Sequence, residues 1–190
     1  MWSGPRNLST ALMRSFASRH DCEVVDEPFY ASYLTTTGYN HPMRDAIIRS
    51  QKTDFDIIAS KCCAGEVNQK IQYQKHMAHH MLDEWDRSFV EKLTNVFLIR
   101  PPNKVVRSLG LKLNTFDVKQ TGFMQQWEIF QLVAEKSGSF PTVINADDIR
   151  KAPEKALRAL CDAINVEFID SMLKWTPGPH SYDGIWGKHW

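Results

Sequence analysis

Net charge is nearly absent from this 190-residue chain: 23 Lys and Arg stand against 22 Asp and Glu, a formal +1. Without an overall basic field the protein has no general means of drawing nucleic acid or an anionic membrane to itself, so any anion site must be local. Cysteine is scarce too, and Cys22, Cys62, Cys63 and Cys161 form neither a C-x-x-C pair nor an evenly spaced framework. Reduced thiols and a cytoplasmic location are expected from that pattern. No apolar run approaches the roughly 20 residues that cross a bilayer, and no basic segment leads into an apolar one at the N-terminus, which predicts neither insertion nor export. Internal repeats, low-complexity tracts and Gly/Ser linkers are missing as well. With 43% hydrophobic residues the chain reads as one domain over residues 1–190 with a sizeable core.

Short β-type runs alternate with longer helical ones. Leu8 to His20 reads as a helix; "CEVVDEPFY" reads as a strand stopped at Glu27-Pro28, because proline lacks a donor and restricts the residue before it. Thr53 to Cys63, with Thr53 and Asp54 ahead of it and Gly65 behind, has the signals of a capped helix. "KIQYQK" alternates with period two, while "NVFLIR" and "TVINA" are continuous apolar runs of the kind buried on both faces of a parallel sheet. Helices are expected over Val105 to Leu113, Gly122 to Lys136 and Pro153 to Ile164, with Trp127 and Phe130 at core spacing. The stretch between Phe29 and Asp56 and the Gly- and Pro-rich tail read as loops. Strands alternating with helices predict an α/β fold, three-layered and of the P-loop type, with a mostly parallel sheet.

"MWSGPRNLSTALMRSF" begins this pattern with a loop that turns into a helix, where unpaired N–H groups and the positive end of the helix dipole suit a phosphate or sulfate. Gly4 and Pro5 shape the loop, Asn7, Ser9 and Thr10 add polar groups, and Arg6 supplies a cation. The spacing is not that of a nucleoside-triphosphate loop, G-x-x-x-x-G-K-[ST]: from Gly4 the later positions hold Ser9, Thr10 and Ala11. Lysine and the magnesium-holding hydroxyl are both absent, which disfavours an ATP-dependent small-molecule kinase. Only Met1 and Trp2 precede the loop, so the strand that should lead into it is expected to be missing or cut short, and the domain incomplete at both ends.

The pair "SGPRNLSTAL" and "FLIRPPNKVVRSL" resembles the sulfotransferases that use 3′-phosphoadenosine 5′-phosphosulfate (PAPS). "WSGPRN…DEPFY…KHMAHHM" is similar to a bacterial-type branch sometimes labelled aminotransferase-like, although no lysine here has a context for pyridoxal-phosphate chemistry. The likeness extends through "VINADDIRKAPEKALRALCDAINVEF", nearly the whole chain. It implies that Gly4, Pro5, Arg6, Asn7, Ser9 and Thr10 hold the 5′-phosphosulfate, that Arg100 and Ser108 hold the 3′-phosphate, and that no metal is needed. It implies two candidates for the base, Glu27 after the second strand and His76 after the next, with Lys75 either binding the sulfonate or pairing with an acid. The implied partner is a small-molecule acceptor, with no nucleic acid or membrane, and a homodimer is compatible; a non-catalytic nucleotide-binding paralogue is the remaining alternative. Phe29, Tyr30, Tyr33 and Phe123 are candidates for an acceptor pocket, and His180, Lys188 and His189 in the tail for phosphate contacts.

Overall fold

The computed structural model describes every residue except Asn114 and Trp190, and Lys188 without its side chain. Five parallel strands form one sheet: β1 (Trp2–Ser3), β2 (Cys22–Asp26), β3 (Ile71–Met77), β4 (Val96–Ile99) and β5 (Thr142–Asn145), in the order β2-β3-β1-β4-β5. The expected α/β fold with a parallel sheet is what the chain adopts. The first strand is present but only two residues long, and it occupies the centre, where Trp2 pairs with His76 on one side and Phe97 on the other. Side chains hold this short strand in place. The Trp2 indole donates to Asn95 Oδ1 at 2.7 Å, and the Gln126 amide donates to the carbonyls of Trp2 and Leu98 at 3.1 and 3.0 Å.

Alternation of side chains across a strand divides the core into two layers. In β4, Leu98 packs with Leu12, Phe16, Leu157 and Leu160 on one face, while its neighbour Phe97 packs with Trp2, Phe29, Phe89 and Ile129 on the other. Helix α1 (Ser9–Ala17) belongs to the first layer. Helix α2 (Tyr30–Thr37) and α3 (Arg44–Ser50) lie where the sequence reads as loop, and their faces close around Tyr30, Leu34, Ile47 and the tail residue Trp186. Helix α4 (Phe55–Ala64) has the expected cap, with the Asp54 carboxylate accepting from the Ile57 N–H at 3.0 Å. Helix α5 runs over Pro102–Gly110, three residues earlier than its apolar pattern suggests, because Pro102 takes the first helical turn, where a missing N–H costs nothing.

Helix α6 (Phe123–Ser137) faces the sheet with Ile129 and Val133. Trp127 is therefore not a core residue: it is 54% exposed and stacks at 5.7 Å on Phe130, which is half-buried and packs edge-on against Phe97 as its spacing predicts. Helix α7 (Ala146–Lys151) follows β5 at once, capped by Asn145, and α8 (Pro153–Ala163) completes the α1 side of the sheet. All four cysteines are free. No described helix is long and apolar enough to cross a membrane.

Gly4 marks a close approach of two backbones. A Cβ there would sit 2.6 Å from the Thr121 carbonyl oxygen, which is main chain and cannot swing aside. Gly4→Ala is expected to cost about 1–3 kcal/mol by overpacking, read as a lower urea midpoint at unchanged slope. An unchanged midpoint would mean that the loop yields there.

Candidate active site

In an open parallel sheet the strand C-termini and the loops leaving them form the ligand crevice. Here that edge carries a cleft of about 490 Å³ with the 4–8 loop on its wall. Arg6 and Leu8 both hold left-handed backbone, φ 63° and 66°, with Asn7 between them. Such alternation turns successive N–H groups inward as an anion-binding concavity, a conformation that costs of order 1–3 kcal/mol per non-glycine residue and persists only where its surroundings enforce it. The enforcing contacts are present. Arg100, just after β4, donates through Nη1 to the Arg6 carbonyl at 2.6 Å, and the Asn7 amide donates to the Leu98 carbonyl at 3.4 Å. Helix α1 starts directly after the loop with no side-chain cap and no acidic residue in its first turn, leaving its N–H groups to whatever enters the cleft.

The two arginine motifs, a hundred residues apart in the chain, meet here. Arg6 Nε donates to Ser108 Oγ on α5 at 3.1 Å, so Arg6, Arg100 and Ser108 form one cluster at the β1 and β4 end of the cleft. The buried Arg100 Nε and Asn7 Oδ1 find no hydrogen-bond partner among the described residues. Pro5, Ser9 and Thr10 line the same wall, Ser9 buried and Thr10 exposed; Gly4 sits behind it against Thr121. Arg150 of α7, within the "VINADDIRK" run but not singled out there, adds a cation to this end.

At the β2 and β3 end lies a buried ionic cluster. Lys75 Nζ donates to Glu27 Oε1 at 2.7 Å and to Asp26 Oδ1 at 2.8 Å, and all three side chains are at most 10% exposed. Glu27 leaves β2 with φ 45°, its N–H still paired to the Lys75 carbonyl at 2.9 Å, a turn that aims the carboxylate over the strand end. Burial pushes the Glu27 carboxyl above the usual carboxylate range, and the neighbouring Asp26 adds to this, although Lys75 pulls the other way. Burial alone would lower the Lys75 ammonium; Glu27 and Asp26 outweigh it and hold the amine firmly protonated.

His76 lies elsewhere. Lys75 and His76 are adjacent in β3 and so point to opposite faces. The Lys75 face carries Met77 into the cleft, whereas the His76 ring stacks on Trp2 at 4.4 Å in the opposite core layer and bonds Gln74 Oε1 at 3.0 Å. The histidine that reaches the cleft is His79, in the 3₁₀ turn Ala78–His80 that follows β3. Period-two counting along "QYQKHM" contains this separation already. No cluster with metal-ligand geometry occurs among the described residues.

Tyr30 and Trp186 close the β2 and β3 end of the cleft, ring to ring at 5.1 Å and nearly perpendicular, while Phe29 and Tyr33 are buried behind them. The tail reaches this wall as a strap. Asp183 pairs with Arg14 of α1 at 2.8 Å, and the Gly184 N–H donates to Asp26 Oδ2 at 2.9 Å. His180 turns away to the Thr176 carbonyl and His189 does not line the cleft; the Lys188 side chain lies outside the described residues.

Comparison with known proteins gives a family and a fold. A family described as "Sulfotransferase domain" matches residues 1–190. Two curated Arabidopsis thaliana proteins, branched-chain-amino-acid aminotransferase-like proteins 1 and 2, are 36% and 34% identical over 189 residues. The chain is covered completely in both alignments but spans only 34% of each relative's length. Among solved structures, a sulfotransferase domain from the curacin biosynthetic pathway superposes with a TM-score of 0.56 over 97% of this chain and 79% of its own, at 14% identity. That likeness is one of fold.

Proposed function

Since the chain belongs to the sulfotransferase domain family, we propose that it transfers a sulfuryl group from PAPS to a small hydroxyl- or amine-bearing acceptor. The observation that carries this reading is the meeting of Arg6, Arg100 and Ser108 at an uncapped helix start, facing the Glu27–Lys75–Asp26 cluster across one cleft. A loop of N–H groups with a guanidinium can hold a phosphosulfate, and a second guanidinium with a hydroxyl can hold the 3′-phosphate. The buried Arg100 Nε and Asn7 Oδ1, without partners among the described residues, fit a site that a polar ligand completes.

The reaction is an in-line displacement at sulfur. The acceptor oxygen or nitrogen forms a bond to sulfur as the bond from sulfur to the 5′-phosphate oxygen breaks. Arg6 and the loop amides stabilise the charge gathering on the departing phosphate. Glu27 takes the acceptor's proton, a task its raised carboxyl suits better than an ordinary one, since a base works best with a pKa near the working pH. Lys75 keeps that carboxylate aimed at the cleft. 3′-Phosphoadenosine 5′-phosphate (PAP) is the second product.

Sulfuryl transfer from radiolabelled PAPS tests this directly. Glu27→Gln is expected to lower kcat by roughly 10²-fold while leaving PAP affinity nearly unchanged, because the amide keeps the shape but cannot accept the proton. The acid limb of the pH–rate profile, where wild-type activity rises as Glu27 deprotonates, should vanish with it. A variant retaining full kcat and the same acid limb would remove Glu27 from the chemistry.

A further inference from the structure

The order of the strands gives the cleft a charge polarity, and that polarity bears on the acceptor. Arg6, Arg100 and Arg150 belong to loops and helices after β1, β4 and β5, while Asp26, Glu27 and Lys75 sit at the ends of β2 and β3 on the other half of the sheet. The cationic groups therefore gather at the donor end. At the opposite end the lysine is spent on two carboxylates at 2.7 and 2.8 Å, leaving that cluster with one net negative charge when ionised. Arg14, the remaining arginine on the wall, is paired with Asp183.

His79 completes this end. The residue is 7% exposed, and its buried Nδ1 has no hydrogen-bond partner among the described residues. Burial, with His41 nearby, lowers its pKa to about 3, so it stands as a neutral imidazole with one donor and one acceptor nitrogen and cannot serve as a counter-cation. An acidic acceptor would have to bury its charge beside Glu27 and Asp26 where, among the described side chains, the one cation at that end, Lys75, is already paired with both, an arrangement that buried charges avoid.

Building on the sulfotransferase reading, we infer that the acceptor is an uncharged alcohol or phenol whose ring or chain lies against Tyr30 and Trp186, with His79 hydrogen-bonding a polar group of it, and that carboxylated acceptors are rejected. A hydroxyl also matches the proton count. It loses one proton, to Glu27, whereas an ammonium would have to lose one before attack and another after it.

The test uses the full chain saturated with PAP and matched acceptor pairs that differ by one carboxylate: benzyl alcohol against 4-(hydroxymethyl)benzoate, and 2-naphthol against 6-hydroxy-2-naphthoate. Ligand-detected NMR gives each Kd, and turnover of PAPS gives each kcat/KM. The neutral member of at least one pair is expected to bind and react about tenfold better or more, and His79→Gln to raise its KM more than it lowers kcat, with PAP affinity retained. Equal or better binding by the carboxylates, binding by neither member of either pair, preference for amines of similar shape, or an unmoved KM in His79→Gln would each overturn the inference. Failure of PAP itself to bind is a separate result, and it would overturn the parent reading as well.

Discussion

Arg6→Ala should abolish most sulfuryl transfer, with kcat/KM falling roughly 10³-fold, in the range seen when one preorganised transition-state donor or cation is removed. The size of the effect follows from the place of Arg6. It lies in the left-handed turn of the loop, bonds Ser108 through Nε, and has its own carbonyl gripped by Arg100, so its guanidinium is held in place, where the proposed reaction would develop charge on the departing phosphate. The variant should also weaken PAP binding, but by less than it lowers turnover, since the charge it answers is larger in the transition state. Arg6→Lys is expected to recover little: an ammonium keeps the charge but loses the planar fork that bonds Ser108 and an oxyanion together. Steady-state kinetics beside PAP titration separates the two effects. Turnover within a few-fold of wild type in Arg6→Ala would place the chemistry elsewhere.

Acid should unfold the protein well before its carboxylates titrate fully. His76, His79 and His80 are buried among Trp2, Tyr30 and Tyr33, and burial lowers all three pKa values, His79 to about 3. In the unfolded chain each imidazole protonates near pH 6.5, so below that value the unfolded state binds more protons than the folded one and stability drops as pH falls. Above about pH 6.5 this contribution is fully present. For His79 alone the loss between pH 6.5 and pH 5 is about 2 kcal/mol, and His76 and His80 add to it with the same sign. Glu27 opposes them, since a raised carboxyl favours the folded state at low pH, but it is one group against three. Set against a typical stability of about 5–15 kcal/mol, the sum predicts a steep fall in the urea midpoint between pH 7 and pH 5. A midpoint that holds constant over that range would mean that the imidazoles are charged or solvated in the folded protein.

Local chemistry made much of the scaffold readable. Period-two and continuous apolar runs marked β2 to β5, and Asp54, Pro153 and the Ser/Thr-rich start of α1 marked helix beginnings, because caps and periodicity are properties of neighbouring residues. The loop leading into α1 was legible for the same reason. Strand order was not, and it is strand order that brings Arg6 to Ser108 and opposes both to Glu27. Helices α2 and α3 escaped notice because their stability comes from distant partners: Tyr30, Leu34 and Ile47 pack on Trp186, about 150 residues further along the chain. Asp26 and Arg150 lie inside "DEPFY" and "VINADDIRK" without standing out from their neighbours, and only the fold places them at the cleft. His79 was hidden by its neighbours, since "KHMAHH" offers three histidines and the sequence does not mark where the strand gives way to the 3₁₀ turn.

Calorimetric titration of PAP into the 190-residue protein, with ATP and magnesium as the comparison and Arg100→Ala alongside, tests the central claim most directly. A site built from Arg6, Arg100 and Ser108 for a phosphosulfate and a 3′-phosphate predicts saturable binding of PAP without magnesium, much weaker binding of ATP, and loss of PAP affinity in Arg100→Ala. Magnesium-dependent binding of ATP in preference to PAP, or no binding of PAP by a folded protein, would contradict it.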